Sequence, residues 1–82
     1  MKTIQILGTG CPKCERLAAN AEEAIRRLGL AAEVVKVTDL MEITSYGVMM
    51  TPALAVDRRV KLVGKAASVE ELVELLGAEG EP

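Results

Sequence analysis

Eighty-two residues amount to one domain with a single core. Half of them are hydrophobic but the one aromatic is Tyr46, so that core is aliphatic; with no histidine, imidazole bases, Cys-His nucleophile pairs and His-containing zinc sites are excluded. Acids and bases nearly cancel at −2 and are interleaved, which excludes the basic footprint of a nucleic-acid or anionic-membrane binder, and no apolar run has the length of a membrane span.

In chain order, Met1-Lys2 leads straight into a polar–apolar alternation over residues 2–7 with no signal-peptide pattern, so the cytoplasm is the expected location. That first strand enters a turn at Gly8-Thr9-Gly10. Pro12 suits the first turn of a helix, where its missing N–H had no partner to lose. Cys14, Leu17, Ala18, Ala21, Ala24, Ile25 and Leu28 then recur three and four apart as one apolar face, and Gly29 is placed to end the helix. Residues 33–37 read as a second strand, which makes a right-handed βαβ unit with parallel strands.

Thr38 or Asp39 can cap a short helix that runs through Tyr46 and closes at Gly47. Pro52 opens a third strand over 53–56. A tight turn near Asp57-Arg58-Arg59, without glycine, leads to a fourth strand over 60–63. Ser68 and Glu71 form a capping box at the head of the last helix. Val69, Leu72, Val73, Leu75 and Leu76 supply its buried stripe, and Gly77 is expected to end it. The reading is a single α/β domain over 1–77, in the order β-α-β-α-β-β-α, with residues 78–82 a frayed tail.

Cys11 and Cys14, the two cysteines of the chain, stand three apart where the first helix begins. A helix N-terminus offers unpaired N–H groups and a partial positive charge, both of which favour thiolate over thiol. Cys14 starts the apolar stripe and is expected to face inward. Cys11 lies at the helix mouth, behind Gly8 and Gly10, which carry no side chains to cover it. Residues three apart on a helix have Cβ atoms about 5–6 Å apart, against roughly 3.5–4.5 Å in a disulfide, so a slight adjustment closes the bond. Cys11 is then the exposed nucleophile and Cys14 the resolving thiol, with Pro12 shaping the helix start and Lys13 either favouring the Cys11 thiolate or merely solvated. A structural disulfide over so short a loop removes little chain entropy. Capture of a soft metal such as Cu(I) by the pair, and a redox sensor that switches without turnover, stay open beside redox catalysis.

A second segment, Tyr46-Gly47-Val48-Met49-Met50-Thr51-Pro52-Ala53-Leu54, matches the stretch by which proteins of the thioredoxin superfamily leave a helix and enter a strand. With Ile6-Leu7-Gly8-Thr9-Gly10-Cys11-Pro12-Lys13-Cys14, it makes the chain resemble that superfamily over nearly its whole length. The similarity is greatest to its small glutaredoxin-like, redox-active disulfide proteins. The resemblance implies a minimal thioredoxin fold with a four-stranded mixed sheet in the order 2-1-3-4 and three helices. It implies a thiol-disulfide oxidoreductase that carries electrons in its own Cys11–Cys14 pair, without a cofactor or metal. It implies a cis bond at Pro52, with Thr51 and Pro52 facing the bound substrate strand, and partners that are disulfide-containing proteins and a reductase. Val48 to Met50, beside Pro52, either touch that strand as exposed residues or pack under the loop. Gly64 matches the glycine after the family's fourth strand.

The chain departs from the pattern in four places. Thr9-Gly10 replaces the tryptophan side of W-C-G-P-C, Lys13 replaces the tyrosine of C-P-Y-C, and no aspartate matches the buried one of thioredoxins. The glutathione clamp G-G-x-D-D is replaced by Gly64-Lys65-Ala66-Ala67-Ser68, which places glutathione use in doubt. A monomer is expected. Heavy-metal-associated domains also carry C-x-x-C after a first strand, but in the order β-α-β-β-α-β, without a helix after the second strand.

Overall fold

The sheet is built around β1 (Lys2–Leu7), whose residues Ile4 to Leu7 are all buried. The computed structural model describes residues 2–79, the last two by their backbone alone. β1 runs parallel to β2 (Ala32–Val37), with Lys2 opposite Ala32 and Leu7 opposite Val37. On its other side it runs antiparallel to β3 (Ala53–Val56). β4 (Arg59–Val63) pairs antiparallel with β3, with an irregularity between Leu54 and Ala55. The order β2-β1-β3-β4 is the one the resemblance implied. A parallel neighbour needs a crossover, and α1 (Pro12–Leu28) supplies it.

Side-chain size sorts the two faces. Ile4, Ile6, Leu54 and Val56 meet Leu17, Ala18, Ala21 and Ala24 of α1 and Leu72 and Leu76 of α3 (Val69–Glu79) in the larger core. On the opposite face Leu7, Val37 and Ala53 pack under Ile43 of α2 (Leu40–Ser45) and under Val48. β3 lies between the two layers and reads Ala-Leu-Ala-Val with every residue buried, its large side chains toward the longer helices.

The ends of the helices follow their sequence signals. Gly29 takes the left-handed conformation at φ 62° and donates to the Arg26 carbonyl, while Leu30 donates to Ile25; this is a Schellman closure. Asp39 is the cap of α2 and accepts from the Met41 N–H at 2.9 Å. At α3 the capping box is formed both ways, Ser68 N–H to Glu71 at 3.1 Å and Glu71 N–H to Ser68 at 3.2 Å.

Several element ends differ from the sequence reading, α2 among them, which ends at Ser45 with Tyr46 as its cap. α3 does not stop at Gly77 but continues to Glu79, because Gly77 lies against the Leu28 side chain rather than in a left-handed cap. Residues 80–82 of the expected tail lie outside the described residues. Val48 is buried under α2, whereas Met49 and Met50 are exposed. The β2 and β4 strands each begin one residue earlier than expected, at Ala32 and Arg59.

The β3–β4 turn is therefore only Asp57-Arg58, and both residues have positive φ, 49° and 71°. This backbone normally asks for Asn-Gly. Here β1 holds it in place: Thr3 N–H donates to Asp57 Oδ1, Asp57 N–H to the Thr3 carbonyl, and Arg58 N–H to the buried Gln5 side chain. The Arg58 guanidinium also lies over the Tyr46 ring, 5.1 Å from its centroid, a favourable cation–π placement.

Candidate active site

Cys11 is the N-cap of α1, in extended backbone at φ −71° and ψ 163°, with Pro12 in the first helical position. Its sulfur accepts the Cys14 N–H at 3.4 Å, so the side chain itself satisfies one of the open donors at the helix mouth. Cys14 sits one turn further in, 5% exposed, at the head of the α1 stripe. The two sulfurs are 2.7 Å apart and both thiols are free. One member of the pair is half-buried at the surface and the other is enclosed.

The surroundings push the two thiols apart in acidity. The hydrogen bond from the Cys14 side chain lowers Cys11 most, followed by the Cys14 backbone N–H; burial opposes them, and the Lys13 backbone adds a smaller lowering. Burial raises Cys14, and its hydrogen bond to Cys11 raises it further. Among the described contributions, that of Lys13 comes through its backbone; its side chain is exposed. A thiolate is thereby favoured where a partner can reach it and a thiol where it cannot.

Glycine has two different uses in the preceding loop. Gly10 has φ +93° and open space around it, so its requirement is conformational. Gly8 has no such φ; a Cβ there would overlap the Cys14 sulfur and would approach Thr51 at 3.9 Å. The sequence reading gave Gly8 the task of leaving Cys11 uncovered. Its missing side chain instead makes room for Cys14.

The second segment comes up against the same place. The Thr51-Pro52 bond is cis. Pro52 is buried, Thr51 is exposed, and the Thr51 Cβ neighbours the Gly8–Cys14 contact. The Pro52 carbonyl accepts the N–H of Gly64, which has φ +72° and packs on Met50. Between Thr9 and Thr51 opens a groove of about 370 Å³ lined also by Leu40, Thr44, Val48 and Met49. Its rim is apolar and solvent-facing, with Met49 97% and Leu40 65% exposed.

On the other side of Cys14, sequence reasoning missed Glu15, Lys36 and Thr38. They line a small recess with Cys14, Gly8 and Gly10, and Lys36 donates to Glu15 at 2.8 Å. Lys36 and Glu15 are 21 positions apart, and the packing of α1 beside β2 brings them together. Among the described residues there is no group of three or more His, Cys, Asp or Glu side chains placed to hold a metal.

Four strands in this order, with an open and a buried thiol at the mouth of the first helix, define a dithiol protein of the thioredoxin fold. The chain matches the family model described as Thioredoxin domain over residues 2–77. A Thioredoxin of Methanothermobacter thermautotrophicus is 43% identical to it over 76 residues, 93% of this chain and 99% of that one. A Thioredoxin of Methanocaldococcus jannaschii is 47% identical over 76 residues, 93% of this chain and 87% of that one. The chain belongs to the thioredoxin family. It is a thiol-disulfide oxidoreductase, whose chemistry needs no cofactor beyond the protein's own thiols.

Proposed function

We propose that the chain reduces disulfides of partner proteins by cycling Cys11 and Cys14 between dithiol and disulfide. The observation that carries this reading is the asymmetry of the pair: Cys11 is accessible with its pKa lowered, and Cys14 is enclosed with its pKa raised. The Cys11 thiolate attacks one sulfur of the partner's disulfide, joining the two proteins and expelling the other partner sulfur as a thiolate. Cys14 then attacks the Cys11 sulfur; the Cys11–partner bond breaks, and its electron pair leaves on the partner. Two electrons have passed to the partner, and the chain is left with a Cys11–Cys14 disulfide.

In this reading Gly10 and Pro12 shape the helix mouth, and the exposed Thr51 and the buried Pro52 form the wall along which an extended partner strand lies. The neighbouring groove receives an apolar side chain of that strand. The oxidised form is recycled by a reductase, not by glutathione, since Gly64-Lys65-Ala66-Ala67-Ser68 stands where a glutathione clamp would be. The protein acts as a monomer in the cytoplasm; among the described residues no helix is long and apolar enough to cross a membrane.

Trapping tests the reading. A Cys14→Ser variant accumulates mixed disulfides through Cys11, visible by mass spectrometry, and a Cys11→Ser variant does not. Failure to trap any, together with no reduction of insulin by the unaltered protein, overturns it.

A further inference from the structure

Methionine stands in an unusual place in this chain. Met41, Met49 and Met50 are 79%, 97% and 62% exposed, and among the described residues neither core holds a methionine. A thioether ordinarily fills irregular gaps in a core, so packing does not account for the three. They differ from one another in what they touch. Met50 lies against Gly64, its Cε 3.3 Å from the place of a Cβ there. Met41 lies in the first turn of α2, outside the groove lining, whereas Met49 lines the groove with Thr9 and Thr51.

We infer that Met49 is a site of oxidation by hydroperoxides, and that its sulfoxide weakens docking of the partner strand in the groove. The inference rests on the thiol-disulfide reading and adds a control on its binding step. The Met49 sulfur attacks the outer peroxide oxygen; an S–O bond forms, the O–O bond breaks, and the peroxide leaves as water or an alcohol. The proton on the transferred oxygen ends on the leaving one. Sulfur loses two electrons and the peroxide gains them, so no further reactant is needed. A thioether does not ionise, so exposure governs its reaction, and Met49 is the most exposed of the three.

The thiols beside it respond to the same oxidant but do not keep the mark. Cys11 takes the oxygen of one peroxide as a sulfenic acid, and Cys14 displaces that oxygen as water to close a disulfide. A dithiol reductant reopens the disulfide and leaves the sulfoxide in place. The groove wall then carries a strong dipole that an entering apolar side chain must desolvate.

The test oxidises the disulfide form with hydrogen peroxide, reopens it with dithiothreitol and maps the added oxygen by peptide mass spectrometry. Met49 is expected to gain oxygen faster than Met50. KM for insulin rises about fivefold in step with Met49 oxidation, the cost of pressing one polar group against an apolar side chain. The rate with a small aromatic disulfide stays the same. Treatment with the two methionine sulfoxide reductases, one for each epimer, returns the KM. Each variant is compared with itself before and after peroxide: Met49→Leu keeps its KM, and Met41→Leu shows the full rise. Five results overturn the inference: slower oxidation of Met49 than of Met50, an unchanged KM at complete Met49 oxidation, a rise that sulfoxide reduction does not reverse, the same rise in Met49→Leu or none in Met41→Leu, and an equal slowing with the small disulfide. No reduction of insulin before peroxide brings down the reading beneath it instead.

Discussion

A side chain at position 8 would occupy the space of the Cys14 sulfur. The end of the first strand and the Cys14 thiol therefore share one van der Waals site, and Gly8 is there for its lack of atoms rather than for its backbone freedom. Gly8→Ala is expected to destabilise the reduced protein by about 1–3 kcal/mol, the usual cost of overfilling a packed site. In a Cys14→Ala background the same change costs less, because only the Cys14 Cβ remains, 3.1 Å from the added methyl. Urea unfolding of the four proteins gives the coupling; equal costs in both backgrounds would remove the steric account.

The order of causes on Cys11 makes a prediction about pH. Its largest support is the hydrogen bond from the Cys14 side chain. Alkylation of Cys11 follows the thiolate, so its rate rises with pH and levels off above a midpoint below the ordinary 9.0. Cys14→Ala removes that donor and moves the midpoint upward, while the backbone N–H groups keep it under 9.0. Linkage gives the matching signs for stability. The Cys11 thiolate stabilises the fold above 9.0, and this is lost as pH falls through its lowered folded pKa. The buried Cys14 thiol stabilises it below 9.0, and this is lost as pH rises through its raised one. Alkylation rates measured across pH in both proteins decide the matter.

What could be read from the chain was what local chemistry dictates. The Pro12 start, the Gly29 stop and the Ser68–Glu71 box each act within one turn of a helix, so the sequence carries them in full. The division of Cys11 from Cys14 followed from the phase of the α1 stripe. What escaped depends on residues far apart in sequence. Gly8 touches Cys14 only once the strand and helix have docked, and Lys36 reaches Glu15 only once α1 has packed beside β2. Gly77 looked like a helix stop because its packing against Leu28 of another helix is invisible locally. The Asp57-Arg58 turn could not be typed, since the groups that hold its left-handed backbone, Thr3 and Gln5, lie more than 50 positions away.

Leu17 follows Cys14 by one turn on the same stripe and is fully buried among the residues of the larger core. It anchors the helix whose mouth carries the thiols. Leu17→Ala is expected to cost about 2–5 kcal/mol, the range for removing a buried leucine side chain, and to lower the unfolding temperature accordingly. Below that temperature the Cys11 alkylation midpoint should stay within error of the unaltered protein, because the caps and hydrogen bonds that set it remain. A shifted midpoint in the folded variant would show that the core also sets the geometry of the pair.

The groove between Thr9 and Thr51 leads to a separate test of partner binding. Met49 and Leu40 at its rim expose thioether and isobutyl groups that nothing in the fold requires outside, since both lie off the two cores. Placing a carboxylate there forces desolvation of a charge whenever an apolar side chain enters. Met49→Glu and Leu40→Glu should each raise KM for insulin several-fold, and the pair about tenfold or more, in proportion to the apolar area that binding no longer buries. Both positions are exposed, so urea unfolding should change by no more than about 0.5 kcal/mol. A small aromatic disulfide is too short to fill the groove and should react with Cys11 at an unaltered rate. If KM for the protein substrate holds while the small disulfide slows, the groove is not where the partner lies, and the effect of the acids is on the Cys11 thiolate instead.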